Sequence, residues 1–293
     1  MGNRSGVSRS LAAILASLAI VVAGCGQEPL AAIPAPAESS TTSATAAAPP
    51  PPALAPPAPD DDLIGSFSAL AETIEGSVGV AVSNGAQTWT FGVETTGPAW
   101  STIKVPLAIA AQRSLGDTVQ ALATRAIEQS DNAAAEELWA MLDGGAAAAA
   151  AVETVLRETG DPTTKVQSDR VRPSFTPFGQ TDWSNEMQAK FAARLPCVAG
   201  AAPAVELMRN VSGGQQWRRA DQADAAVKGG WGPDVDGMYS VRQIALLGDA
   251  AGAVGVALIA RPGDGSFDSG VAVVSQLAEW VASNRARFAP MPC

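Results

Sequence analysis

Ser101-Thr102-Ile103-Lys104 decides how this chain is read, because its 293 residues contain no histidine. A nucleophilic serine needs a base beside it, and histidine usually fills that role. Here the remaining candidate is a lysine. Ser-x-x-Lys places one three residues on from the serine, on the same helical face one turn along. A serine in the first turn of a helix also sits where the dipole favours developing negative charge. The spacing alone is weak evidence, since most such pairs are ordinary surface neighbours.

Two downstream segments add weight. The first is Ser130-Asp131-Asn132, and the second is Val227-Lys228-Gly229-Gly230, a small-residue segment ahead of an apolar run. The chain has four lysines, at 104, 165, 190 and 228, and two of them fall in these segments. Each segment has a bland reading. Ser-Asp-Asn uses the residue types of a helix cap, and a lysine among glycines reads as a turn. Lys104 is harder to dismiss, because burying an unpaired ammonium in an apolar helix is expensive.

Upstream, residues 1–24 read as a targeting segment. Arg4 and Arg9 supply the positive region, and Leu11 to Val22 is an apolar stretch too short for a permanent bilayer span. It ends in Val22-Ala23-Gly24-Cys25, which resembles a bacterial lipobox and makes Cys25 the expected lipidated N-terminus. Multiple acyl chains would anchor the protein firmly, where one alone is marginal. Residues 25–60, rich in Ala, Pro, Ser and Thr and containing Pro49 to Pro52, read as an unfolded tether. The expected location is the extracytoplasmic side of the cell membrane. Residues 61–293 are long enough for one domain with a sizeable core.

The net charge is −10, and it becomes −12 once Arg4 and Arg9 leave with the signal. That balance argues against a nucleic-acid partner. It also leaves membrane attachment to the lipid. With Cys25 lipidated, Cys197 and Cys293 remain as a pair for an oxidising compartment, the alternative being two free thiols. No Cys/His cluster suggests a metal, no cofactor is implied, and a monomer is expected.

The hydrophobic pattern predicts a helix over Asp61 to Glu75, then strands over Val78 to Val82 and Thr88 to Val93 around the hairpin signal Asn84-Gly85. Helices are predicted at Ser101 to Leu115, after Asp131, at Ala146 to Leu156, at Asn185 to Ala193 and at Ala204 to Val211, with Pro203 just ahead of the last. Ser168 to Thr181 reads as an irregular loop. Strands follow at Ala225 to Trp231, Tyr239 to Leu247 and Val254 to Arg261, and a closing helix at Ser269 to Arg287. The sum is α+β: an antiparallel sheet from both ends of the chain with terminal helices on it, and a helical lobe from the middle.

The ordered set S-x-x-K, S-D-N and K-x-G resembles class A β-lactamases and penicillin-recognising serine enzymes from about Asp61 to the end. The resemblance implies roles position by position. Ser101 would be the acylated nucleophile, Lys104 its activator, and Ser130 a proton relay to the leaving group. Asn132 would face the substrate amide and orient Lys104. Lys228 would keep the Ser130 region electropositive and attract a substrate carboxylate. The N–H groups of Ser101 and Trp231 would form the oxyanion hole. The implied ligand is a β-lactam or a peptidoglycan-like peptide.

Three departures limit this. Gly229 stands where the family carries a hydroxyl that helps hold the substrate carboxylate. In Asp169-Arg170-Val171-Arg172-Pro173, Arg172 matches the position of the deacylating glutamate, and a guanidinium cannot act as a base. Only 28 residues separate Ser101 from Ser130, fewer than is usual in the family, which implies a more open cleft. Arg242 is a candidate carboxylate ligand on the next strand, with its facing left open by strand alternation. Two readings therefore stand: a serine acyl enzyme with poor deacylation, or a lipid-anchored domain of the same fold that binds an envelope ligand or protein without catalysis.

Overall fold

In a computed structural model the structure describes residues 61–217 and 225–293. The targeting segment, the tether and Cys25 lie outside the described residues. Eight helices and five strands follow in order: α1 Asp61–Ala71, β1 Gly76–Ser83, β2 Thr88–Gly92, α2 Lys104–Leu115, α3 Gln120–Glu128, α4 Asn132–Met141, α5 Gly145–Glu158, α6 Asn185–Arg194, α7 Ala202–Arg209, β3 Ala226–Pro233, β4 Tyr239–Asp249, β5 Gly252–Pro262 and α8 Phe267–Ser283.

The strands form one antiparallel sheet in the order β2-β1-β5-β4-β3. Its first two strands come from the N-terminal end and its other three from the C-terminal end, so the ladder Val78↔Ala260 to Ser83↔Gly255 closes the chain on itself. β1, β4 and β5 are buried along most of their lengths because helices cover both faces. α1 and α8 pack on the sheet through an aromatic knot in which Phe67 and Phe91, tilted against each other, both meet Trp280 edge to face. α6 packs against β1, β4 and β5.

The helical lobe is built around α2, which touches α3, α4, α5 and α7. From Lys104 to Ala111 every residue of α2 is buried, the pattern of a helix at the centre of a bundle. Much of the lobe is closed by alanines, among them Ala108, Ala111, Ala123, Ala126, Ala134, Ala135 and Ala148. Small side chains let the helices approach closely.

The sequence pattern needs correction in detail. α1 stops at Ala71, since Gly76 (φ +126°) must turn the chain into β1. α3 was not anticipated. Its buried stripe, Ala123, Ala126 and Ile127, lies opposite polar Gln120, Thr124, Arg125 and Glu128, an amphipathic pattern that the reading of the sequence passed over. Ser101 does not open an α-helix: Trp100–Ile103 is a 3₁₀ turn and α2 begins at Lys104. Pro203 sits inside the first turn of α7, where its missing N–H costs nothing. The closing helix ends at Ser283.

Cys197 and Cys293 form a disulfide with Cα atoms 5.4 Å apart. It ties the turn after α6 to the chain end, where Cys293 N–H donates to the Ala250 carbonyl. Closing a 96-residue separation is worth about 4–5 kcal/mol in the chain-entropy account.

Candidate active site

Three elements that are remote in sequence meet where the helical lobe faces the edge strand β3: the 3₁₀ turn before α2, the turn before α4, and β3 itself. Asp131 caps α4, accepting from Ala133 N–H at 2.8 Å and Ala134 N–H at 3.2 Å. These bonds and the neighbouring Arg125 hold its carboxyl below its usual range. The cap thus accounts for Asp131 alone. Ser130, just ahead of it, has a left-handed backbone (φ 56°), rare for a residue with a side chain. That conformation turns both its carbonyl and its hydroxyl toward Lys104.

The Lys104 ammonium donates to the Ser130 carbonyl at 2.5 Å and to Asn132 Oδ1 at 2.7 Å, and lies 3.4 Å from Ser130 Oγ. From the other side Lys228 Nζ donates to Ser130 Oγ at 2.9 Å, Gln215 Oε1 at 2.6 Å and the Gly229 carbonyl at 2.9 Å. One hydroxyl therefore sits between two buried amines. Burial pulls the Lys104 pKa down to about 7, against a partial upward pull from Asp131 and Glu136. Lys228 is pulled well below a lysine's usual value, first by burial and then by the charge of Lys104. Lys104 is thus poised to exchange a proton near neutrality, as pKa-tuned catalytic groups are.

Ser101 lines a cleft with Asn132 and Trp231. Its hydroxyl makes no hydrogen bond to Lys104 or Ser130 among the described residues. The residue before it, Trp100, is also left-handed (φ 49°), a costly state for a bulky side chain. Its indole N–H donates to Ser240 Oγ at 2.9 Å, and its ring stands 5.3 Å from that of Phe175. The ring lies flat on Gly232, where a Cβ would come within 2.6 Å of it. These contacts fix the turn that presents Ser101 to β3. The approach is close: a Cβ on Gly230 would sit 2.9 Å from the Ser101 nitrogen and 2.9 Å from the Ala99 carbonyl oxygen.

Two arginines raised by the sequence are structural in placement. Arg242 is fully buried and donates to the carbonyls of Gly97, Pro98 and Trp183 and to Asn185 Oδ1. Burial, with Arg261 nearby, lowers its pKa to about 9. It clamps the entry to the Trp100 turn and does not reach the cleft as a carboxylate ligand. Arg172 donates to the Pro233 carbonyl at 2.7 Å, and its guanidinium stacks 4.2 Å above the Phe175 ring. It fastens loop 168–181 to the end of β3.

Gln215 and Trp217 were missed by sequence reasoning, because a single Gln or Trp in a loop has no motif around it. Gln215 holds Lys228. Trp217 packs its indole against Gly229, where a Cβ would lie 2.8 Å from the ring. Among the described residues there is no group of three or more His, Cys, Asp or Glu placed to hold a metal.

No protein-family model matches the sequence, and no curated protein is significantly similar to it. The fold does match solved structures. A class A β-lactamase from Mycobacterium abscessus is similar at 17% identity and a TM-score of 0.60, covering 76% of this chain and 99% of that one. An ancestral class A β-lactamase reconstructed for Gram-negative bacteria is similar at 22% identity and a TM-score of 0.57, over 75% and 99%. A double mutant of the chromosome-encoded β-lactamase of Vibrio parahaemolyticus gives 16% and 0.58, over 76% and 99%. The chain has the class A β-lactamase fold.

Proposed function

We propose that this domain is a β-lactamase-like, penicillin-binding-like serine acyl enzyme, lipid-anchored through Cys25 on the extracytoplasmic face of the cell membrane. Its acyl donor is a β-lactam or a peptidoglycan-like amide. The observation that carries this reading is the Ser130 hydroxyl held between Lys104 and Lys228, with Asn132 locking Lys104 beside the Ser101 cleft. In the forward step Ser101 Oγ attacks the carbonyl carbon and its proton passes to the neutral Lys104 amine. Ser130 then relays a proton to the leaving nitrogen, with Lys228 stabilising the charge on the relay. The N–H groups of Ser101 and Trp231 receive the oxyanion.

Deacylation is the weak half of the cycle. Water needs a positioned base, and among the described residues no carboxylate lines the cleft. The domain therefore acylates faster than it releases, in the manner of a penicillin-binding protein. A second reading, a domain that binds an envelope ligand without chemistry, is favoured by the Trp217 ring set against Gly229 and by Arg172 tied to the backbone.

Intact-mass spectrometry after incubation with a reporter penicillin separates the two. A stable adduct on the wild-type protein that is lost in Ser101→Ala supports the acyl enzyme. Rapid multi-turnover hydrolysis would show that another base exists. No adduct with any β-lactam or envelope-derived acyl donor would leave the binding-only reading. Cys25→Ser should abolish lipid labelling and release the protein from the membrane fraction.

A further inference from the structure

Gln215 ties the turn that carries Ser130 to the strand that carries Lys228. It closes the 3₁₀ turn Gly213–Gln215 and is buried. Its Oε1 accepts from Lys228 Nζ at 2.6 Å, the shortest of that amine's three bonds. Its Nε2 donates to Ser212 Oγ at 3.2 Å and to the Glu128 carbonyl at 3.4 Å, at the end of α3 and two residues before Ser130. The same carbonyl accepts from Ser212 N–H at 2.8 Å, and Gln243 Nε2 on β4 donates to the Gln215 backbone carbonyl at 3.4 Å. The amide fits one way round, because a carbonyl only accepts and an ammonium only donates.

The three partners of Lys228 suit two proton states. Gln215 Oε1 and the Gly229 carbonyl accept, whereas the Ser130 hydroxyl both accepts and donates. An ammonium donates to all three. A neutral amine keeps its two N–H groups on Gln215 and Gly229 and turns its lone pair to Ser130. Both states fit with no heavy atom moved, and the position where a proton comes or goes faces Ser130. Ser130 Oγ lies 2.9 Å from Lys228 Nζ and 3.4 Å from Lys104 Nζ, so Lys228 is the nearer donor. None of its three partners is a carboxylate, which would favour the charged form. Burial and then the charge of Lys104 lower the Lys228 pKa. A proton arriving on Lys104 thus makes Lys228 a stronger acid at the moment Ser130 needs one. Lys104 is itself lowered by burial, with Asp131 and Glu136 pulling the other way. Arg218 and Arg219 lie outside the described residues.

We propose that Gln215 is a positioning residue of the proton relay: it aims the Lys228 nitrogen at Ser130 Oγ and, being uncharged, leaves that amine able to give up a proton. The inference rests on the acyl-enzyme reading above. The step starts with Lys104 neutral and Lys228 an ammonium. Ser101 Oγ bonds to the carbonyl carbon, and its proton goes to Lys104. The C–N bond breaks, its electron pair leaves on nitrogen, and that nitrogen takes the Ser130 hydroxyl proton. Ser130 Oγ is refilled from the Lys228 ammonium. The step ends with Ser101 acylated, Ser130 restored, Lys104 charged and Lys228 neutral.

The test uses the full-length protein in detergent, with lysine labelled with carbon-13 at Cε and its signals followed by NMR against pH. Four lysines give four signals, and Lys165→Arg and Lys190→Arg assign the two outside the site. Gln215→Glu keeps the side-chain length and sets a carboxylate against Lys228, so the Lys228 midpoint should rise by about one to three pH units. Gln215→Met removes the acceptor at the same length, and the midpoint should fall. Acylation of Ser101 by benzylpenicillin, timed by intact mass, should slow by about tenfold to a hundredfold in both variants. A residue that merely pegs the Ser130 turn to β3 would leave the midpoint in place. An unmoved Lys228 midpoint in Gln215→Glu, or acylation within about twofold of wild type in that variant, would overturn this inference and leave the acyl-enzyme reading standing. No Ser101 adduct on the wild-type protein with benzylpenicillin or a fluorophosphonate would overturn that reading and the relay role together. Should either variant fail to fold, Gln215→Asn, which draws the amide back by one carbon, decides by the same two measurements. A lower midpoint with slower acylation supports the inference, and an unchanged value of either overturns it.

Discussion

On the lobe side of the Ser101 cleft, two buried lysines and an asparagine converge on one serine, and every polar contact there involves a proton that can move. On the loop side stands Arg172, permanently charged, bonded to the carbonyls of Pro233 and Asp234 and stacked on Phe175. Both sides are partly buried and polar, yet the first holds an amine, Lys104, whose pKa burial draws down to about 7. The difference is one of chemistry rather than of order. On the acyl-enzyme reading, attack on a carbonyl would draw on the lobe side, whereas activation of water for release would have to come from the loop side. A domain with this asymmetry should be good at the first half-reaction and poor at the second.

The sharpest way to break the comparison is Lys104→Ala. If the lobe side is the acylation machinery, adduct formation should fall by roughly 10²–10⁴-fold, the usual contribution of a general base. An unchanged rate would mean that Lys104 is only a core lysine satisfied by Ser130 and Asn132. Gly230→Ala comes next. Its Cβ would press on the Ser101 nitrogen and the Ala99 carbonyl, both backbone and unable to swing away. Acylation should drop by roughly 10²–10³-fold, as when an oxyanion-hole donor is displaced, with far-UV circular dichroism unchanged. If the rate holds, the Ser101 N–H is not a working donor.

A pH profile tests the same side without mutation. On the acyl-enzyme reading acylation needs the neutral Lys104 amine, and burial brings its pKa to about 7. The rate should therefore fall by up to about tenfold per pH unit below that point and level off above it. Stability carries the same sign. Between about 7 and lysine's ordinary 10.5 the unfolded chain holds a proton that the folded chain does not, so stability rises with pH across that window. Lys228, shifted in the same direction, adds to the rise. An acid limb well below pH 6 would assign the base to another group.

What the sequence disclosed follows the same divide. The lobe-side residues Ser101, Lys104, Ser130, Asn132 and Lys228 belong to spaced motifs, since proton transfer demands particular residue types. The sheet and its terminal helices were legible because strand runs such as Val254 to Arg261 and the Asn84-Gly85 hairpin carry strong periodic and turn signals. The supporting parts were not. Gln215 and Trp217 act through shape and a single hydrogen bond, which leave no pattern. Arg242 could be placed on β4, but alternation did not give its face; the carbonyls it serves come from residues 97, 98 and 183. The left-handed Trp100 is set by Ser240, Gly232 and Phe175, three remote partners.

The smallest effect is expected from the loop side, and it is the most discriminating about the comparison itself. Arg172→Ala removes a charged hydrogen bond to the Pro233 carbonyl and a stacked cation over Phe175. Losing these should cost about 1–3 kcal/mol of unfolding free energy in a denaturant titration. Because the guanidinium is no base and is committed to β3, the lifetime of a preformed Ser101 adduct should stay within about twofold of wild type. A lifetime that lengthens tenfold or more would mean that Arg172 orients the deacylating water, and the loop side would then be part of the catalytic machinery. Arg172→Glu extends the measurement. It places a carboxylate where the fold's glutamate is expected, but it also gives up the carbonyl contacts that positioned the side chain. A shortened lifetime in Arg172→Glu alone, with Arg172→Ala unchanged, would show that the site lacks a base rather than a path for water.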